Sequence, residues 1–225
     1  MKTYGQFCPV AQAMELLGER WTLLVVRELL SGSTRFGELE RGVPLMSKTM
    51  LSQRLGTLAS AGVVERRPLP TSRGYSYHLT KAGAALRPVV EAAGVWATQH
   101  LRRDLREEEL DAGLLMWDLQ RNLVLDELPT EPVLVHFFFP DGGAGKTRFW
   151  LHLRPEAEVD LCLTHPGFDV GLTVEASVRT FTEVWLGQKT FGEAVATRGL
   201  RLAGERRWIR AFPEWLKLSA FAAFA

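Results

Sequence analysis

Pro44-Leu45-Met46-Ser47-Lys48-Thr49-Met50-Leu51-Ser52-Gln53-Arg54-Leu55 runs on through Leu58-Ala59-Ser60-Ala61-Gly62 into Val63-Val64-Glu65-Arg66-Arg67. A turn holding Pro68, Pro70 and Gly74 follows, then Tyr75-Ser76-Tyr77-His78-Leu79. The pattern predicts a short helix and a two-stranded hairpin. Ser47 suits the N-cap, because its hydroxyl can accept from the unpaired N–H groups of the first turn. Leu51, Leu55 and Leu58 recur at helical spacing and mark a buried face. Gly62 ends the helix.

The opposite face carries Thr49, Ser52, Gln53, Gly56, Thr57 and Ser60, small or amide-bearing residues in place of the usual Glu/Lys mix. Small side chains let a backbone approach a groove. Ser and Thr bond base edges, and Gln can pair bidentately with adenine. Lys48 and Arg54 fall at the rim, where phosphates would lie. In the hairpin, Tyr75, Tyr77 and Leu79 alternate onto one face expected to pack on the helices, and Arg66, Arg67 and Arg73 cluster around the tip. A solvated helix poor in charge is the plainer reading of the first element alone; the basic hairpin attached to it decides for DNA. Together they predict the recognition helix and wing of a winged helix-turn-helix, with Ser47, Lys48, Thr49, Ser52, Gln53, Arg54, Arg66 and Arg73 as the candidate contacts to double-stranded DNA.

The residues before this stretch read as its support. Pro9 opens a first helix that Gly18 closes, and Trp21, Leu24, Val25 and Leu29 stripe a second. Residues 35–40 form a short third, and the Gly42-Val43-Pro44 turn leads into the recognition helix. After the hairpin, Thr80 caps a helix expected over residues 81–103 and bent by Pro88. Its stripe of Leu86, Val89, Val90, Ala93, Trp96, Ala97 and Leu101 lies on an element ~35 Å long, too long for so small a domain to cover. A second copy of the chain is the simplest cover, with packing on the C-terminal half the weaker alternative, and a two-fold dimer would present two recognition helices to successive major grooves.

With 225 residues the chain divides into an N-terminal DNA-binding and dimerisation domain at 1–103 and a C-terminal domain at 104–225. Residues 1–103 hold 14 Lys and Arg against 7 Asp and Glu, a net +7; residues 104–225 hold 13 against 19, a net −6. Such segregation points to a polyanion-binding module joined to something else. No apolar run reaches the ~20 residues of a membrane helix, so no membrane partner is expected. The first six residues lack a secretory core, which predicts a cytoplasmic protein. Two cysteines, Cys8 and Cys162, cannot build a disulfide scaffold.

In the C-terminal half a helix is expected over residues 110–123. Strands follow at 133–139, 146–153, 159–163 and 170–174, then helices at 178–186 and 191–197, a strand at 199–202 and a helix at 205–218. The whole chain is therefore α+β, a winged helix-turn-helix followed by antiparallel strands with helices over one face. Gly142-Gly143-Ala144-Gly145-Lys146-Thr147 is no phosphate loop: Pro140 stands where its first glycine belongs, and a strand pattern follows instead of a helix. The five histidines show no pair at metal spacing and no catalytic constellation emerges, so neither metal, cofactor nor enzymatic activity is expected.

Cys8-Pro9-Val10, Gly18-Glu19-Arg20-Trp21-Thr22-Leu23-Leu24, Arg27-Glu28-Leu29, Arg35-Phe36-Gly37-Glu38-Leu39, Leu51-Ser52-Gln53-Arg54-Leu55 and Val63-Val64-Glu65-Arg66 together resemble the HxlR-type regulators. These are bacterial winged-helix proteins related to the MarR group, and the resemblance covers residues 7–100. It implies a homodimeric transcription factor, here read as a repressor, and a redox-sensing thiol at Cys8. Taken by itself, Cys8 has no basic neighbour within four residues, which favours a structural thiol. Residues 178–187, 199–204 and 212–216 resemble a sterol-carrier-protein type domain, which implies an apolar tunnel between sheet and helices. Phe137, Trp150 and Trp185 are the residues expected to line it around an apolar small molecule, although such aromatics also fill ordinary cores. The leading expectation is a DNA-binding regulator controlled by that molecule; the alternative is a carrier of lipids or other hydrophobic molecules.

Overall fold

The computed structural model describes residues 3–70, 74–101, 104–143, 147–155 and 159–224. They fall into two compact units, Met1–Gly94 and Val95–Ala225.

In the first unit, α1 (Pro9–Leu17) begins on a proline, whose missing N–H costs nothing at a helix start. α2 (Thr22–Leu30) buries Val25, Val26 and Leu29. α3 (Phe36–Gly42) is closed at its N-terminus by the Glu38 carboxylate, which accepts from the backbone N–H groups of Thr34 and Arg35, each at 2.8 Å. α4 (Lys48–Ser60) buries Leu51, Leu55 and Leu58 against this framework. Each leucine withdrawn from water contributes about 2 kcal/mol, so the three together set the rotation of α4 about its axis.

β1 (Val64–Pro68) and β2 (Tyr75–Leu79) pair antiparallel, with Arg66 opposite Tyr77 and Pro68 opposite Tyr75. The chain ahead of α3 joins them. Arg35 bridges Ser76, and the Tyr77 N–H donates to the Thr34 carbonyl at 2.7 Å. The Thr80 hydroxyl donates to the Gly62 carbonyl at 2.6 Å and accepts from the Gly83 N–H at 3.2 Å, tying the foot of the hairpin to the end of α4.

Two expectations change here. Tyr75 does not pack on the helices but stands 42% exposed, because it lies at the outer end of the hairpin, beyond their reach. The helix expected from residue 81 is two helices, α5 (Lys81–Ala84) and α6 (Arg87–His100). Gly83 is pressed so close to Val63 that a Cβ there would overlap the Val63 carbonyl oxygen. The break lies one turn ahead of Pro88, which has no N–H for the Ala84 carbonyl and crowds it with its ring, so the proline ends one helix and starts the next instead of bending a single one. α6 buries no residue, and residues 102 and 103 lie outside those described.

The second unit is α+β. α7 (Ala112–Arg121), capped by Asp111, precedes β3 (Val133–Phe138), β4 (Arg148–Leu153), β5 (Asp160–Cys162), β6 (Val170–Ala176) and β7 (Leu200–Gly204). These form one sheet in the order β5-β4-β3-β6-β7. The expectation of antiparallel strands fails at one pair: β3 and β6 run parallel. The chain leaves the edge strand β5, passes over β4 and β3, and enters β6 in the direction of β3. One sheet face carries Val135, Phe137, Phe149, Leu151, Leu172 and Val174. α7, α8 (Val178–Trp185), α9 (Phe191–Ala196) and α10 (Arg206–Trp215) pack on it through Met116, Phe181, Ala194, Phe212 and Trp215. Among the described residues no helix is long and apolar enough to cross a membrane.

Candidate nucleic-acid interface

Ser47 caps α4 as its residue type demands, its hydroxyl accepting from the Met50 N–H at 3.2 Å. With the leucines turned inward, Thr49, Ser52, Gln53, Gly56 and Ser60 stand exposed along the outer side. Among them is no carboxylate or other anion to repel a phosphate. The Thr57 hydroxyl turns back to the Gln53 carbonyl at 3.0 Å, leaving the Gln53 amide to the surface. A Cβ on Gly56 would meet nothing within 4 Å, so no packing inside the unit requires glycine there.

The two basic residues of α4 differ. Lys48 is 74% exposed and pairs loosely with Glu40 at 3.3 Å, a contact that a phosphate can replace at small cost. Arg54 is 15% exposed and turned inward, donating to Glu19 at 2.8 Å and to the Arg20 carbonyl at 3.1 Å. It braces α4 against the turn between α1 and α2.

On the hairpin, successive side chains alternate between faces. Glu65 and Arg67 share one face and pair at 2.8 Å. The hydrogen bond from Arg67 holds the Glu65 carboxyl below the usual carboxylate range and pushes the Arg67 guanidinium up. Arg66 lies on the other face, its guanidinium carbon 3.3 Å from the centroid of the Tyr75 ring. Arg73, the remaining expected contact, lies outside the described residues. The expected residues Ser47, Lys48, Thr49, Ser52 and Gln53 share the outer side and N-terminal end of α4. Two participants escaped the sequence reading. Glu19, 35 positions from Arg54, gave no signal; Tyr75 gave one, since its place at the hairpin's end sets it past the core.

In the second unit, Phe137 and Trp185 belong to one buried core, and Trp150 lies apart from them. Phe137 is fully buried on the helix-covered face, its ring 5.9 Å from those of Phe181 and Phe212. Trp150 lies across from His136 and so faces the other way, stacked on that imidazole at 5.2 Å. Trp185 packs into the core from α8. A cavity of about 700 Å³ opens elsewhere in this unit, beside Leu105, Arg179, Glu183, Leu186 and Phe221. Cys8, at the start of α1, and Cys162, in β5, are half-buried free thiols. Among the described residues no group of His, Cys, Asp and Glu is arranged to hold a metal ion.

A sequence profile of the HxlR-like helix-turn-helix family matches residues 16–105 and ends ahead of the five-stranded sheet. The uncharacterised HTH-type transcriptional regulator YvaP of Bacillus subtilis is 41% identical over 97 residues, which span 42% of this chain and 90% of YvaP. The HTH-type transcriptional regulator YodB of the same organism is 39% identical over 94 residues, 41% of this chain and 84% of YodB. The solved reduced form of YodB superposes on 42% of this chain and 95% of its own, at 38% identity and a TM-score of 0.38.

Proposed function

The chain belongs to the family of HxlR-like helix-turn-helix transcriptional regulators, and from that premise we propose that it reads double-stranded DNA with the outer side of α4 and with the β1–β2 hairpin. The observation that carries the reading is the uncharged, small-residue outer side of α4, set between Lys48 and a basic hairpin. Gln53, Ser52 and Thr49 are the base-edge readers; Lys48, Ser47 and the hairpin contact the backbone.

The active form is a homodimer that occupies promoter DNA as a repressor. Its support is α6, which buries nothing of its own and exposes Val89 and Trp96. Two-fold pairing would bury that stripe and repeat α4 along the duplex. Control by an apolar small molecule rests on the sterol-carrier resemblance; the cavity beside Leu105, Arg179, Glu183 and Leu186 mixes charged and apolar walls and would suit an amphipathic molecule. A ligand bound there would act only through a difference in its affinity for the DNA-binding and non-binding forms.

The deciding experiment is a mobility shift of DNA from upstream of the protein's own coding sequence, at low and raised salt. Binding that weakens steeply with salt, and a loss of sequence preference in Gln53→Ala, are expected. Absence of any shift at low salt overturns the reading. Sedimentation of the free protein tests the dimer.

A further inference from the structure

We infer that Tyr75 is a positioning residue for Arg66, so that the hairpin presents a pre-oriented guanidinium to the DNA backbone. The inference rests on the assignment of the hairpin as a DNA-contacting wing and adds how its charge is presented.

The register decides which arginine is available. Val64, Arg66 and Pro68 share a face with Tyr75, Tyr77 and Leu79. At the foot of that face Val64 is buried, and Tyr77 and Leu79 pack on the helical core. Arg66 and Tyr75 continue the same face outward, past the last helix that could cover it. They remain on the side of the hairpin turned toward the helices, α4 included. The reverse face, turned away from the helices, holds Glu65 and Arg67, which pair at 2.8 Å. Arg66 has no carboxylate within ion-pair distance among the described residues, and the Tyr75 ring lies under it instead.

A guanidinium stacked on a ring keeps its N–H groups at its edge, where phosphate oxygens can bond them bidentately. The ring also removes rotamers that a long side chain must otherwise surrender on binding. Tyr75 is 42% exposed and holds no part of the core, so stacking explains an exposed aromatic that packing does not.

The test uses the full chain and two duplexes, one from upstream of its own coding sequence and one of mixed sequence, titrated over a range of salt. Arg66→Ala is expected to reduce the slope of log affinity against log salt by about one. Tyr75→Leu leaves that slope and the thermal midpoint unchanged but weakens binding to both duplexes about two- to fivefold, the ratio an exposed cation–ring contact is worth. Tyr75→Phe, which keeps the ring, restores full affinity. Tyr75→Phe binding as weakly as Tyr75→Leu, or Tyr75→Leu binding normally, overturns the positioning role while leaving the wing intact. An unchanged salt slope in Arg66→Ala, or no binding by the unsubstituted chain, overturns the assignment beneath it.

Discussion

Arg54 reaches from α4 to Glu19 across 2.8 Å, so the one strongly basic side chain in the middle of that helix is committed to the protein itself. Only 15% of its side chain meets solvent, and a second bond to the Arg20 carbonyl fixes the guanidinium in place. Arg54→Ala should therefore lower the thermal midpoint, at a cost of about 1 kcal/mol because Glu19 keeps half its surface in water. The number of counterions released on DNA binding should not change. Lys48→Ala should do the reverse, reducing the salt slope by about one with no loss of stability. A slope reduced equally in both variants would put both side chains on phosphate, and one unchanged in both would put neither there.

Gly42 ends α3 directly against Glu28, whose carboxylate is buried and paired with Arg27 at 2.8 Å. Arg27 also donates to the Gly42 carbonyl at 2.9 Å, closing a small ring of contacts between α2 and α3. A Cβ on Gly42 would overlap the Glu28 carboxyl carbon. The φ of Gly42 is not of the left-handed kind, so space alone demands glycine. Gly42→Ala should destabilise the first unit by about 1–3 kcal/mol, the usual cost of overfilling a packed site. Chemical denaturation of the full chain, followed by helix signal, measures it. A stability equal to that of the unsubstituted protein would mean that the Glu28 carboxylate has room to move.

The α4 leucines and the hairpin were legible because each lies on one element with one period. Leu51, Leu55 and Leu58 repeat at helical spacing, and a buried face follows whatever the rest of the chain does. What was not legible depends on distance along the chain. The Arg54–Glu19 pair joins positions brought together only by the folded three-helix framework. The parallel β3–β6 pair depends on where residues 163–169 carry the chain, and a run of loop residues holds no period to show it. Phe137 and Trp150 belong to paired strands, but which of them share a face is set by hairpin register. A shift of one residue would have reversed it. The break before α6 was legible in part: Pro88 announced an interruption, but whether it bends one helix or divides two depends on packing that the local signal does not record.

Gly56 separates the needs of the fold from those of binding. It lies mid-helix and exposed, with open space where a side chain would stand. Gly56→Ala should stabilise the protein by about 0.5–1 kcal/mol, since alanine loses less backbone entropy in a helix than glycine. Gly56→Leu fits the isolated fold equally well but would hold the backbone of α4 off a groove. The expected result is a thermal midpoint at or above that of the unsubstituted protein in both variants, with DNA affinity lost only in Gly56→Leu. Unimpaired binding by Gly56→Leu would place Gly56 outside the interface.

His136 makes the second unit sensitive to mild acid. Its imidazole is held below the ordinary value of 6.5, first by burial and then by the nearby charges of Arg148 and His165. Its Nε2 is buried without a hydrogen-bond partner among the described residues, and the ring stacks on Trp150 at 5.2 Å. Protonation would therefore put a charge in a half-buried site that already faces Arg148. Because the folded-state value is depressed, folded and unfolded chains are both neutral at this residue above pH ~7, and the stabilisation is complete there. As pH falls below about 6.5 the unfolded chain binds a proton that the folded one resists, and stability declines until the folded form also titrates. Urea midpoints measured on the full chain between about pH 5 and 8 should fall with acid. In His136→Phe, which keeps a flat ring on Trp150 but cannot titrate, the fall should be shallower. The difference between the two curves reports His136 together with its electrostatic coupling to His165. Superimposable curves would mean that the stacked imidazole is protonated as easily inside the fold as outside it.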